Sequence, residues 1–224
     1  MVNEERVHGR RIRSFVRRAG RLTPAQQRAL DELWPKFGID YSAKPLDFDA
    51  AFGRSAPRIL EIGFGNGELL ATVAAAQPAS DFIGIEVHEP GVGHCLLQLE
   101  ERRLTNVRLI CHDAIDVLRN QVPDAALNQV NLFFPDPWPK KRHHKRRIVQ
   151  PTFLALIHRK LVEGGRFHVA TDWMNYAEHI EETINNVELF APVEIDAAAR
   201  PETKFELRGK RLGHDIWERV YQRI

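Results

Sequence analysis

Cysteine is scarce. Cys95 and Cys111 are the only two in 224 residues, and they do not form a CxxC pair. No disulfide framework and no zinc-ligand spacing follows from them; two reduced, partly buried thiols suit a cytoplasmic protein. Long apolar runs are missing too. None approaches the ~18 residues needed to cross a bilayer, and the N-terminus has arginines without the apolar stretch of a secretory signal. The expected location is the cytoplasm, with no membrane partner. Acid is missing from two places. Residues 6–21 hold seven arginines, residues 140–147 hold six Lys/Arg, and neither block contains Asp or Glu. Together they carry 13 of the 32 cationic residues, which leaves 19 cations against 30 acids elsewhere. Two cationic patches on an acidic body point to a polyanion site.

What is present is ordinary for one well-cored domain: 43% hydrophobic and 28% charged residues. Residues 1–22 read as a flexible basic arm and 23–224 as a single domain. Thr23-Pro24 offers an N-cap followed by Pro at the first helical position, predicting a helix to about Phe37 that stops at Gly38. Residues 39–57 read as loop. A regular alternation follows. Strands are expected at "PRILEIG", "DFIGIEV", "VRLICHD", "LNQVNLFF" and "RFHVATD". Helices are expected at "NGELLATVAAAQ", "GVGHCLLQLEERRL", "AIDVLRNQ", "PTFLALIHRKLVEGG" and "NYAEHIEETINN". The tail segments "FAPVEID" and "HDIWERVYQR" suit two more strands. The pattern is α/β: a doubly wound, mostly parallel sheet, extended by an antiparallel C-terminal strand.

In open parallel sheets ligands bind beyond the carboxyl ends of the strands. The first strand ends "LEIGFGNGE", with Gly63, Gly65 and Gly67. Glycines allow a tight turn and a close approach of backbone N–H groups to a ligand. A dinucleotide site wants a further glycine at position 68, where this chain has Glu68. That glutamate would repel a pyrophosphate, which disfavours a nicotinamide dehydrogenase. Glu86 closes the second strand, placed to accept from both hydroxyls of a ribose, and Asp113 closes the third, placed to accept from an adenine amino group. Glu61 precedes the glycines, where it can face a cationic amino-acid portion. An adenosyl ligand with positive charge and no phosphate fits this set, namely S-adenosylmethionine.

The fourth strand runs into "FFPDPWPKKRHHKRR". Pro135, Pro137 and Pro139 fix the backbone and remove donors. Asp136 is thereby held at the mouth of the sheet, and Trp138 offers a face on which a base could stack, worth roughly 1–3 kcal/mol. Lys140 to Arg147 would meet phosphates. The fifth strand ends in Thr171-Asp172-Trp173, adding a carboxylate and an aromatic to the same edge.

The segments "LEIGFGNGE", "FIGIEVHEPGVG", "FPDPWPKKRHHKRRIV", "ATDWMNYAEHI" and "TKFELRGKRLGH" resemble the bacterial-type tRNA (guanine-N7)-methyltransferases. The likeness runs from about Arg58 to Trp217. It implies a Rossmann-like fold that uses S-adenosylmethionine, and methylation of one guanine, position 46, in the tRNA variable loop. It assigns Glu61, Glu86, Asp113 and Asp136 to the cofactor site, with Asp136 catalytic. It assigns Lys140, Asp172 and Thr203, Lys204, Phe205 and Glu206 to substrate binding, a choice that spacing alone does not suggest. It implies Arg142, His143, His144, Lys145, Arg146 and Arg147 as the RNA-contacting block. It implies tRNA as partner and no obligatory protein partner, the chain acting as monomer or homodimer. Two alternatives stand beside it: a methyltransferase acting on an exocyclic amine of RNA or DNA, and a non-catalytic RNA-binding module on the same fold.

Overall fold

The computed structural model describes Ser14, Phe15, residues 20–195, Glu206 and residues 215–224. Helix α1 (Pro24–Phe37) starts where the sequence places it, because Thr23 and Gln26 cap each other reciprocally: each side chain accepts from the other's backbone N–H. It stops at Gly38, whose N–H bonds back to the Trp34 carbonyl. A short helix, α2 (Phe48–Phe52), stands within the expected loop. Asp47 accepts from the Ala50 N–H at its start, Gly53 turns left-handed at its end, and Phe48 is buried.

Next come β1 (Arg58–Ile62), α3 (Glu68–Ala76), β2 (Asp81–Glu86), α4 (Glu89–Glu101), β3 (Val107–Cys111), α5 (Ala114–Asn120) and β4 (Leu127–Phe133). A 3-10 helix, η1 (Lys141–Arg146), precedes α6 (Pro151–Lys160), β5 (Leu161–Thr171), α7 (Met174–Val187), β6 (Phe190–Val193) and β7 (Trp217–Arg223). The seven strands are ordered β3-β2-β1-β4-β5-β7-β6. Strands β1 to β5 pair in parallel, and β7 runs antiparallel to both β5 and β6. This is the α/β, doubly wound sheet that the sequence predicts, with its antiparallel strand at the C-terminus.

One boundary differs. Leu161 to Gly165 were expected to end a helix, yet β5 already begins at Leu161. Leu161 pairs with Leu127, and the next pair is Arg166 with Gln129, so the Gly164-Gly165 pair falls in a bulge. Gly164 takes a φ of 71°, a conformation glycine adopts without strain. The glycines interrupt a strand here rather than cap a helix.

Both faces of the sheet are covered. Leu70, Ala71, Leu96 and Leu99 of α3 and α4 pack with Phe37 of α1 on one side; Val117, Leu154, Ile157, Tyr176 and Ile180 of α5, α6 and α7 pack on the other. Each fully buried aliphatic side chain contributes roughly 1.5–3 kcal/mol. Strand order reverses between β1 and β4, opening a crevice at their carboxyl ends. Among the described residues no helix is long and apolar enough to cross a membrane.

Candidate active site

A cavity of about 670 Å³ occupies that crevice, lined by Gly63, Glu86, His88, His112, Asp113 and Asp136 among others. Register makes this possible. Ile62 lies beside Ile85, and Glu86 beside Cys111, so β1, β2 and β3 end level and deliver Gly63, Glu86 and Asp113 to one rim. The glycine turn is open: Gly63 and Gly65 have φ of 74° and 60°, and a Cβ on either would meet nothing within 4 Å. Gly67 is different, since a Cβ there would strike Cys95 Sγ at 2.3 Å. It lets the start of α3 close onto α4.

Glu86 is held by backbone. Its Oε2 accepts from Gly65 N–H at 3.0 Å, and its Oε1 accepts from Val87 and His88 N–H at 2.7 and 3.0 Å. One carboxylate thus ties the exit of β2 to the glycine turn. Asp113 caps α5, accepting from Ile115 N–H at 2.9 Å. His112, which spacing did not single out, stacks on Tyr41 at 3.8 Å and walls the cavity.

Glu61 does not join this rim. Alternation along β1 turns Ile62 into the main cavity and Glu61 into a second, of about 220 Å³, shared with Gln129, Asn131, Arg166 and His168. Its side chain is 5% exposed. Burial, and then the Glu61 charge, push the Cys95 thiol well above its usual range.

The turn after β4 is bent hard. Phe134 and Trp138 have φ of 51° and 45°. Phe134 N–H bonds the Ala170 carbonyl at 2.8 Å, anchoring the turn to β5. Asp136 is exposed and lines the cavity. Trp138 is not the open stacking face expected of it. The Arg146 guanidinium lies 4.0 Å over its ring, His143 meets it edge-on, and its indole N–H donates to the Ser14 carbonyl at 3.0 Å. Ser14 and Phe15 of the basic arm line the cavity beside it.

The cationic block is helical rather than a loop. Lys140 precedes η1 and is exposed, as are Lys141, Arg142 and Lys145. Partial desolvation, with the charges of Arg142, Arg146, Lys140 and Lys145, depresses His143 below the ordinary imidazole value. Arg147 leaves the expected RNA-contacting set. It is 2% exposed, and its guanidinium donates to the Pro137 carbonyl at 2.9 Å and to Asn175 Oδ1 at 2.8 Å. Its donors are spent inside the protein. Asp172 follows β5, half-buried, next to the exposed Trp173. Glu206 is buried and helical; Thr203, Lys204 and Phe205 lie outside the described residues.

A family model described as a putative methyltransferase matches residues 55–219. The tRNA (guanine-N7)-methyltransferase of Photorhabdus laumondii is 56% identical over 221 residues, covering 96% of this chain and 92% of that protein. The enzyme of that name from Aeromonas hydrophila is 53% identical, covering 100% of this chain and 97% of its own. The chain belongs to the tRNA (guanine-N7)-methyltransferase family. Solved structures give the fold the same character. The aminoglycoside-resistance methyltransferase NpmB1 superposes with a TM-score of 0.58 at 14% identity, over 79% of this chain and 92% of its own. The tRNA methyltransferase TrmI of Aquifex aeolicus gives 0.51 at 18%, over 75% and 62%. For this methyltransferase the main cavity, at the usual ligand position of the fold, is the candidate active site.

Proposed function

We propose that this methyltransferase transfers a methyl group from S-adenosylmethionine to N7 of a guanine in the tRNA variable loop, position 46. The observation that carries the proposal is the cavity that joins Gly63 of the glycine turn, Glu86 and Asp113 to Asp136, and whose lining residues Pro139 and Ile148 flank the cationic helix η1. The residues suit the cofactor. Open space beside Gly63 and Gly65 admits a ligand, and the acids beside it favour a cation over a phosphate. Glu86 would take the ribose diol by exchanging N–H for O–H donors, and Asp113 would take the adenine amino group. Glu61, behind the turn, adds negative potential toward a positively charged ligand. When bound, S-adenosylmethionine supplies an electrophilic methyl carbon on a sulfonium sulfur.

Guanine N7 has an in-plane lone pair and carries no proton, so the chain needs no general base. Its task is alignment, holding the reacting atoms about 3–3.5 Å apart. Positive charge appears on the guanine imidazole as the bond to N7 forms, and a fixed Asp136 carboxylate stabilises it. Asp136 can equally orient the ring by accepting from N1–H and the exocyclic amine. Lys140, Asp172 and the Thr203, Lys204, Phe205, Glu206 segment bind the tRNA substrate. Arg142, His143, His144, Lys145 and Arg146 supply charge toward phosphates. The enzyme works in the bacterial cytoplasm as monomer or homodimer without another protein.

Transfer of tritiated methyl from S-adenosylmethionine to unmodified tRNA, followed by mapping of the nucleotide and atom, tests this. Label at N7 of the variable-loop guanine is expected. Label on an exocyclic amine, or no transfer with tRNA still bound, overturns it in favour of one of the two alternatives.

A further inference from the structure

The Arg147 guanidinium is buried, and no acidic side chain among the described residues pairs with it. Burial of a cation is costly unless its donors are satisfied, and here they are. Nε donates to the Pro137 carbonyl at 2.9 Å, Nη2 to Asn175 Oδ1 at 2.8 Å, and Nη1 reaches the Asn175 carbonyl at 3.4 Å. His144 Nε2 lies 3.2 Å from Nη2. The guanidinium also sits over the Tyr176 ring at 4.8 Å, and that ring is fully buried in the core under α7. Desolvation depresses the Arg147 pKa, with Tyr176 opposing that shift.

The partners explain why the chain accepts this cost. Pro135, Pro137 and Pro139 bring no N–H donors, so the turn cannot hold itself by the usual backbone bonds. Among the described residues no hydrogen bond restrains the Asp136 carboxylate itself. Phe134 and Trp138 tie the turn on either side of Asp136 to Ala170 and Ser14; between them the Pro137 carbonyl, one residue past Asp136, is gripped by Arg147, itself held by Asn175 of α7. From this geometry we infer that Arg147 is a positioning residue: with Asn175 and Tyr176 it fixes the turn, and so sets where Asp136 meets the guanine. This rests on the assignment of Asp136 above.

Arg147→Ala, Arg147→Lys and Asn175→Ala in the full chain test it, with S-adenosylmethionine and unmodified tRNA both taken to saturation. Misplacement by about 1 Å can cost ~100-fold; Arg147→Ala is expected to lose about that factor in kcat. The tRNA KM and its salt dependence stay at wild-type values. Ethylguanidinium, filling the vacated site, restores part of kcat in Arg147→Ala, whereas equal tetramethylammonium does not. Arg147→Lys, a single ammonium nitrogen in place of a planar fork, falls between. A raised tRNA KM with a flatter salt slope and intact kcat overturns the inference and makes Arg147 a phosphate contact. A lowered melting temperature with kcat intact below it, or a loss of kcat that ethylguanidinium leaves untouched, makes the role merely structural and also overturns it. If Arg147→Ala does not fold, Asn175→Ala decides: a lowered kcat at unchanged KM supports positioning, and wild-type kcat refutes it. Should the wild-type enzyme place no label at N7, the assignment of Asp136 fails first, and visibly so.

Discussion

The two halves of the crevice are built by different means. On the cofactor side, backbone does the holding: Glu86 takes three N–H groups within two turns, Asp113 caps its own helix, and Gly67 closes on Cys95. On the substrate side, side chains from distant elements hold a turn that has few donors of its own: Arg147 reaches Pro137 and Asn175, Trp138 reaches Ser14, and Arg146 lies on Trp138. The first half is tied together by contacts 21 to 28 residues apart, between the glycine turn and the exit of β2 and α4. The second draws on contacts that reach 124 residues, to Ser14 ahead of α1. On the proposed function, the second half must select one guanine of a folded RNA, and it is this half that draws on the most distant part of the chain.

If the halves are separable, changes on each should move different constants. The largest effect is expected from Asp136→Asn, which keeps the shape of the turn but removes the charge facing the reacting guanine. Loss of a fixed electrostatic contact of this kind costs about 10²–10³ in kcat. Affinity for S-adenosylmethionine, measured by calorimetry, should stay near wild type. Equal losses of affinity and turnover would show that the carboxylate serves the cofactor instead, and the comparison would break. Glu86→Gln is next. It exchanges an acceptor for a donor opposite the Gly65, Val87 and His88 N–H groups. Affinity for S-adenosylmethionine should fall by about tenfold or more, as for loss of a charge-assisted hydrogen bond, while tRNA affinity in filter binding is unmoved.

The same division decides what the sequence reveals. Helix α1, the alternation of strands and helices and the strand-end positions of Glu86 and Asp113 follow from caps, periodicity and the rule for open parallel sheets. All are local or repetitive signals. Glu61 shows where such reasoning needs one more step. Two residues before Gly63 it looks like a member of the rim, but period-two alternation sends it to the face opposite Ile62. Arg147 shows where local reasoning ends. In sequence it is the last of six cations and indistinguishable from Lys145, yet one is buried and the other exposed. Only the approach of α7 to the turn separates them. The Arg146 guanidinium over Trp138, and Ser14 at its indole N–H, are equally non-local, so the indole read from sequence as free for a base proves engaged.

Sorting the cations leads to a smaller and sharper prediction. Arg142 and Lys145 are exposed on η1, whereas Arg147 is spent. Each phosphate contact adds ~0.7–0.9 to the slope of log affinity against log salt. Arg142→Gln with Lys145→Gln should therefore flatten the slope for tRNA by up to about 2, with kcat at saturating tRNA close to wild type. An unchanged slope would remove η1 from the RNA interface. A collapsed kcat would mean that the cations shape the turn as Arg147 does, and the two roles on this helix would not be separate.

The smallest effect concerns His143, at the centre of that cluster. Desolvation and four neighbouring cations depress its pKa below the ordinary imidazole value, which favours the neutral form in the free enzyme. Phosphates arriving on η1 reverse the sign of the local field and favour the charged form. The pKa in the complex is then higher than in the free protein, and binding takes up a proton. By linkage, tRNA affinity rises as pH falls through the pKa of the complex and levels off below that of the free enzyme. A difference of half a pKa unit between the two states corresponds to about threefold in affinity. Filter binding between pH 7.5 and 5.5 at constant ionic strength should show this gain, and His143→Gln should remove most of it. Added salt should shrink it, because screening weakens both the cation cluster and the phosphates. If affinity is flat with pH, or falls on acidification, the imidazole does not face phosphate, and the RNA must approach η1 along its Arg142 and Lys145 edge alone.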